Sequence, residues 1–123
     1  MYDFLEKLSK NGERLEVLGS GEQRRDYCYV TDTVQALELL AIEGETEPYN
    51  VAGDSGISIS ELANKMVDMV APGADIEYGY DTWDGDIKYL SANTDKLDSL
   101  GFEPTVSLDE GLRMLIEWYD ENV

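Results

Sequence analysis

Histidine is missing from this sequence altogether, cysteine occurs once, and nine lysines and arginines face 27 aspartates and glutamates, for a formal charge of −18. Without histidine, the commonest general base near neutral pH and the commonest metal ligand are gone. A lone cysteine, Cys28, excludes an intramolecular disulfide, and its place in the apolar run Tyr27-Cys28-Tyr29-Val30 suits a buried thiol in a strand better than a nucleophile. Positive charge is too sparse to form a basic stripe, which argues against nucleic-acid backbones and anionic lipid as partners. No apolar run approaches the roughly 20 residues that cross a bilayer, and no signal peptide is evident, so a cytoplasmic location is the default expectation.

What is present in excess is carboxylate. The acids are spread along the whole chain with no block of five or six together, a pattern that suits adaptation to concentrated salt better than a local acidic docking surface. The 123 residues, 42% of them apolar, suffice for one domain over 1–123 with a modest core.

Periodicity predicts an α/β chain, α+β-like and small, with a few short strands and four to five helices. Phe4, Leu5 and Leu8 mark a first helix that Asn11-Gly12 stops. It opens so abruptly at Met1 that the chain is expected to begin inside a larger protein. Leu15–Leu18 reads as a strand, and Asp32 is placed to cap a helix whose Val34, Leu37, Leu40 and Ala41 form a buried stripe. Tyr49–Ala52 reads as a short strand. Ser58 and Glu61 form a Ser-x-x-Glu capping box, with Ile57 and Leu62 at the two positions of a hydrophobic staple. Asp75–Tyr78 is a brief strand, Asn93 can cap a short helix ended by Gly101, and Ser107 with Glu110 opens the last helix, whose inner face carries Leu108, Leu112, Leu115, Ile116 and Tyr119. The irregular 78–89 region is the expected ligand loop. Its Asp81, Asp84 and Asp86 do not have the spacing of a calcium loop, and no metal site is expected.

Gly19–Asp32 is where chemistry concentrates: two of the four arginines, Arg24 and Arg25, stand side by side just after a Gly-x-Gly turn. A dinucleotide fingerprint fails here, because the third glycine is absent and a β-rich run follows where a helix must begin. The residue order Gly19-Ser-Gly21-Glu-Gln23-Arg24-Arg25-Asp26-Tyr27, then Val30 and Asp32, resembles the G-x-G-x-Q-x-R-D-[FYW]-x-x-V-x-D segment of the extended short-chain dehydrogenase/reductase family, the NAD-dependent nucleotide-sugar epimerases and dehydratases. Three more segments follow in that family's order. Tyr49-Asn50-Val51-Ala52-Gly53 is similar to its Y-N-[VI]-x-x-G strand, and Ile57–Ala63 to its V-S-x-x-E-[LI] helix start. Gly85-Asp86, Leu100–Pro104 and Ser107–Leu112 are similar to its ending.

The resemblance implies a C-terminal substrate-binding lobe whose N-terminal Rossmann partner, holding NAD and a Tyr-x-x-x-Lys pair, is not in this sequence. No tyrosine here has a lysine four residues on, so neither catalytic nor cofactor-binding residues are expected, and the chain should be inactive alone. By the same resemblance, Arg25 would contact the diphosphate of a nucleotide sugar and Asp86 would accept from ribose hydroxyls. Gln23 would orient the loop or touch the ligand. Trp83 stands where the resemblance implies an arginine, removing one cation and offering an indole face to stack on the ligand or cap the core. Asp26 and Asp32 would serve as turn and cap residues that hold Arg25 in place. The alternative is a stand-alone, non-catalytic binding module derived from that lobe. Cut from its partner domain, the 49–51 strand and the helix after Asp32 would expose apolar surface and favour self-association.

Overall fold

The computed structural model describes residues 1–53, 56–79, 85 and 87–123. Among the described residues, five helices and five short strands follow one another: α1 (Tyr2–Lys10), β1 (Arg14–Val17), β2 (Arg24–Arg25), α2 (Val30–Glu43), β3 (Ile57–Ser58), α3 (Ile59–Val70), β4 (Asp75–Tyr78), β5 (Tyr89–Leu90), α4 (Asp95–Asp98) and α5 (Leu108–Asn122). The fold class is α/β, as the patterning predicts.

Two small sheets organise it. β1 and β4 run parallel with Leu15 opposite Ile76, while β2 lies between an antiparallel β3 and a parallel β5. β1 alternates exposed and buried residues, sending Leu15 and Val17 into the main core. There they meet Leu5 and Leu8 of α1, Leu62, Ala63 and Met66 of α3, and Leu112 and Tyr119 of α5. Fully burying one such aliphatic side chain contributes about 1.5–3 kcal/mol, so these residues dominate the lobe's cohesion.

The start of α3 forms as the sequence predicts. Ser58 Oγ accepts from the Glu61 amide at 3.1 Å and the Glu61 carboxylate accepts from the Ser58 amide at 2.9 Å, while Leu62 is buried in the core. At α5 only half of the second box is present: Ser107 Oγ accepts from the Glu110 amide at 3.3 Å. The α4 cap falls one residue later than predicted, on Thr94, with Asn93 Oδ1 instead accepting from the Asp95 amide at 3.1 Å.

Three expectations are corrected. The apolar run 27–30 is not a strand: pairing stops at Arg25, and helix α2 has begun by Val30. Cys28 is accordingly half-buried rather than in a sheet, and its sulfur accepts from the Thr33 hydroxyl at 3.5 Å. Tyr49–Ala52 forms no strand either. Tyr49 and Val51 instead pack on a second cluster of Ala36, Leu97 and Phe102, and Lys96 clips the segment by pairing with Glu47 and lying 4.2 Å over the Tyr49 ring.

The third correction concerns α2. Its buried face carries Asp32 and Ala36 with Leu39 and Leu40 beside them, whereas Val30, Val34, Leu37 and Ala41 form an exposed stripe, Leu37 being 60% exposed. The helix is apolar on two faces, and among the described residues only one of them packs on a cluster. Asp32 does not cap α2. Tyr29 holds that position, and the Asp32 carboxylate reaches across to the chain entering α5.

Candidate functional site

The Gly-x-Gly turn lies in the connection between β1 and β2, which belong to different sheets. Gly19 and Gly21 adopt φ of 76° and 75°, which side-chain-bearing residues rarely adopt. A Cβ on Gly21 would also lie 2.5 Å from a ring carbon of Tyr78. The Gly21 carbonyl accepts from the Ser60 amide and the Gln23 carbonyl from the Ile59 amide, both at 2.9 Å, so the turn is fastened to the first residues of α3. β2 rather than a helix follows the turn. Among the described residues the turn therefore offers no helix N-terminus to a dinucleotide pyrophosphate, and it does not fit NAD.

β2 sets the two arginines to opposite uses. The Arg24 guanidinium donates to the Gly56 carbonyl at 2.6 Å and lies 3.6 Å from the Glu61 carboxylate, bracing the α3 cap. Arg25 is half-buried, donates to the Arg24 carbonyl at 2.7 Å, and lines a cavity of about 320 Å3 together with buried Gln23. Gly19, Val17 and Leu18 supply one wall, Ile59 and Leu62 another, and Asp3, Phe4 and Lys7 of α1 a third. Tyr27 lies alongside: burial pushes its phenol above its ordinary pKa, against the opposing charge of Arg25.

Asp26 is fixed by three donors, and they tie two loops to the site. Its carboxylate accepts from the Gly56 amide at 2.7 Å, from the Ala92 amide at 2.8 Å, and from the Ser91 side chain. Burial works to raise its pKa, but these bonds outweigh it and hold the carboxyl below its ordinary value. Asp26 is thus a clamp on two distant loops beside Arg25 rather than the turn residue that the sequence suggests.

Of the sequence-derived site residues, Gln23 and Arg25 share one cavity. Trp83 and Asp86 lie outside the described residues, as do Asp81 and Asp84. The strand that follows position 86 is described: β5 pairs with β2, Leu90 opposite Arg25, and the Lys88 carbonyl accepts from the Arg24 amide at 2.9 Å. Among the described residues, no cluster of three or more acidic or cysteine side chains could hold a metal ion.

Lys7 was not singled out by the sequence, since only folding brings α1 against the glycine turn. A second groove, of about 410 Å3, separates the 27–30 segment from α5 and is lined by Tyr29, Val30, Leu115 and Trp118 among others. None of its described lining residues carries a charged side chain.

A glycine turn fastened to a capped helix, an arginine in a cavity at its foot, and a loop returning beside it define the C-terminal part of an NAD-dependent epimerase or dehydratase of the extended short-chain dehydrogenase/reductase type. The chain belongs to the family whose model is described as GDP-mannose 4,6 dehydratase, which matches residues 2–115. It is 34% identical over 112 residues to UDP-glucuronic acid decarboxylase 2 of Arabidopsis thaliana, covering 90% of this chain and 25% of that protein. It is 34% identical over 111 residues to the low-salt glycan biosynthesis protein Agl12 of Haloferax volcanii, covering 89% and 36%. Among solved structures, UDP-glucose 4-epimerase of Thermotoga maritima with UDP-glucose superposes with a TM-score of 0.86 at 31% identity, over 97% of this chain and 38% of that one. A dTDP-glucose 4,6-dehydratase of Bacillus anthracis, solved with NAD, superposes at 0.80 with 25% identity, over 96% and 38%. The chain thus spans roughly a third of the length of the relatives it matches.

Proposed function

We propose that this chain is the nucleotide-sugar-binding lobe of an NAD-dependent epimerase or dehydratase, and that Arg25 grips the diphosphate of the substrate. The observation that carries the reading is the placement of Arg25: a half-buried guanidinium, in a chain of net charge −18, lining a cavity with Gln23 at the foot of a glycine turn. A planar guanidinium donates two parallel bonds to phosphate oxygens, and partial burial strengthens them by excluding water. Gln23 adds an amide that can donate to the ligand or to the turn.

NAD and the proton-transferring groups belong, in this reading, to the remaining length that the relatives have and this chain lacks. The reaction of the assembled enzyme would be transient oxidation at a sugar carbon followed by epimerisation or dehydration. Similarity to an epimerase solved with UDP-glucose supports a uridine nucleotide sugar as the first ligand to try.

The test is a titration of the 123-residue chain with UDP and UDP-glucose, followed by amide shifts. Perturbations centred on Gln23 and Arg25, and loss of about tenfold or more in affinity on Arg25→Ala, are expected for a charged group that contacts the ligand. Binding that Arg25→Ala leaves intact would sink the assignment.

A further inference from the structure

Nine cations serve a chain of 27 acids, and most of those whose contacts are described are committed elsewhere. Lys10 pairs with Glu6, Arg14 with Glu16 and Glu77, Arg24 with Glu61, Lys65 with Asp109, and Lys96 with Glu47. Against that background, two cationic side chains from distant parts of the sequence, Lys7 of α1 and Arg25 of β2, line one cavity. The cost of gathering like charges around a space is offset when an anion enters it.

Lys7 is held so that its ammonium can change partners. It donates to the Glu16 carbonyl at 3.2 Å and pairs with Asp3 at 2.9 Å, and Asp3 is itself part of the cavity wall. The lysine side chain is 33% exposed and the Asp3 side chain 66%. Such an exposed helical i,i+4 pair contributes little, so a doubly charged phosphate group competes with it easily. An ammonium carries three donors: one can stay on the Glu16 carbonyl while another turns to the ligand.

We infer that Lys7 is a second phosphate-binding residue of the Arg25 cavity, exchanging its bond to Asp3 for one to a nucleoside diphosphate. The inference rests on the reading of the cavity as a diphosphate site and adds to it a residue, a competitor and a sign. Because Asp3 pairs with the lysine and adds negative charge to the cavity wall, removing that carboxylate helps the ligand. Lys7 and Asp3 therefore act on affinity in opposite directions, which a purely structural ion pair would not do.

The experiment is a calorimetric titration of the 123-residue chain with UDP, using the parent chain, Lys7→Gln, Lys7→Arg, Asp3→Asn and Arg25→Ala, each checked for an unchanged helical spectrum and melting curve. Lys7→Gln is expected to weaken UDP binding about tenfold, Lys7→Arg to restore most of it, and Asp3→Asn to tighten it severalfold. If Arg25→Ala abolishes binding while Lys7→Gln and Asp3→Asn leave it unchanged, the Lys7 assignment is overturned and the cavity reading stands. If Lys7→Gln and Asp3→Asn weaken binding alike, the pair is structural and the assignment also fails. If the parent chain shows no UDP binding at millimolar concentration, both are overturned together.

Discussion

The Asp32 carboxylate lies 2.8 Å from the Thr105 hydroxyl and 3.0 Å from the Thr105 amide, and its second oxygen accepts from the Val106 amide at 3.1 Å. Residues 32 and 105 are far apart in sequence, and these three bonds tie the first turn of α2 to the segment that enters α5. Asp32 is 0% exposed, whereas Thr105 is exposed and Val106 half-buried, so removing the carboxylate takes away the shared acceptor of three donors at the edge of the core. A buried unsatisfied group costs about 1–3 kcal/mol, and bonds to a charged acceptor are worth more than neutral ones. Asp32→Ala should therefore lower unfolding free energy by about 3 kcal/mol in urea titrations, and Thr105→Val, which removes one hydroxyl, by about 1 kcal/mol. Equal and negligible losses would show that the bridge does not hold α2 in place.

Acid should undo the same contacts. Burial would raise the pKa of Asp32, but the Thr105 amide and hydroxyl and the Val106 amide hold it below the ordinary 3.8, and Asp26 is depressed in the same way by the Gly56 and Ala92 amides and the Ser91 side chain. A carboxyl with a folded pKa below its unfolded value contributes its stability in full above the unfolded value and loses it as pH falls through the folded one. Lowering the pH from 7 first relieves the repulsion among the many exposed acids, so stability should rise towards mildly acidic pH. Below about pH 3.8 it should then fall, and Asp32→Asn should flatten that fall. Melting temperatures recorded from pH 7 to pH 2 check the shape; a monotonic decline from neutrality would contradict it.

The excess of acid leads to a prediction in salt. Carboxylates spread along the chain repel one another over a Debye length of about 10 Å at 0.1 M salt, but over only about 3 Å at 1 M. The ion pairs that salt would weaken are exposed, such as Lys10 with Glu6 and Arg14 with Glu77, and each contributes little. Relief of repulsion should win. The melting temperature is expected to rise by about 5 °C or more between 0.05 M and 2 M potassium chloride, equivalent to roughly 1 kcal/mol for a domain of this size. An unchanged or lower melting temperature would remove the case for adaptation to concentrated salt.

Local signals were readable from sequence where they were sufficient by themselves. The Ser58–Glu61 box, the glycine turn at 19 and 21, and the core faces of α1 and α5 each depend on residues a few positions apart, and each forms as expected. Misreadings arose where a distant partner decides. Asp32 looked like a cap because its sequence neighbourhood is that of one, yet its donors come from residues 105 and 106. The apolar segments 27–30 and 49–52 have strand composition but join no ladder among the described residues, and a strand without a neighbour is not stable. Gln23 and Arg25 were legible because one motif carries both; Lys7 was not, because only folding brings α1 against the turn.

The two-faced α2 yields the last prediction. Val30, Val34, Leu37 and Ala41 recur at intervals of four, three and four residues, which places them on one stripe, and Val30, Val34 and Leu37 are 64%, 47% and 60% exposed. The opposite face, through Ala36, Leu39 and Leu40, already packs on Leu97, Phe102 and Tyr49. Since 49–51 forms no strand, the association expected of it passes to this helical stripe. An isolated chain with such a stripe gains by pairing it with a second copy, since each large apolar side chain covered contributes about 1.5–3 kcal/mol before the cost of association. Sedimentation velocity should show a concentration-dependent dimer that molar salt strengthens, because salt also screens the repulsion between two polyanions. Leu37→Gln and Val34→Gln together should return it to monomer, with melting lowered only by the loss of association. A monomer at every concentration and salt level would mean that the stripe stays solvated, and its apolar spacing would then need another explanation.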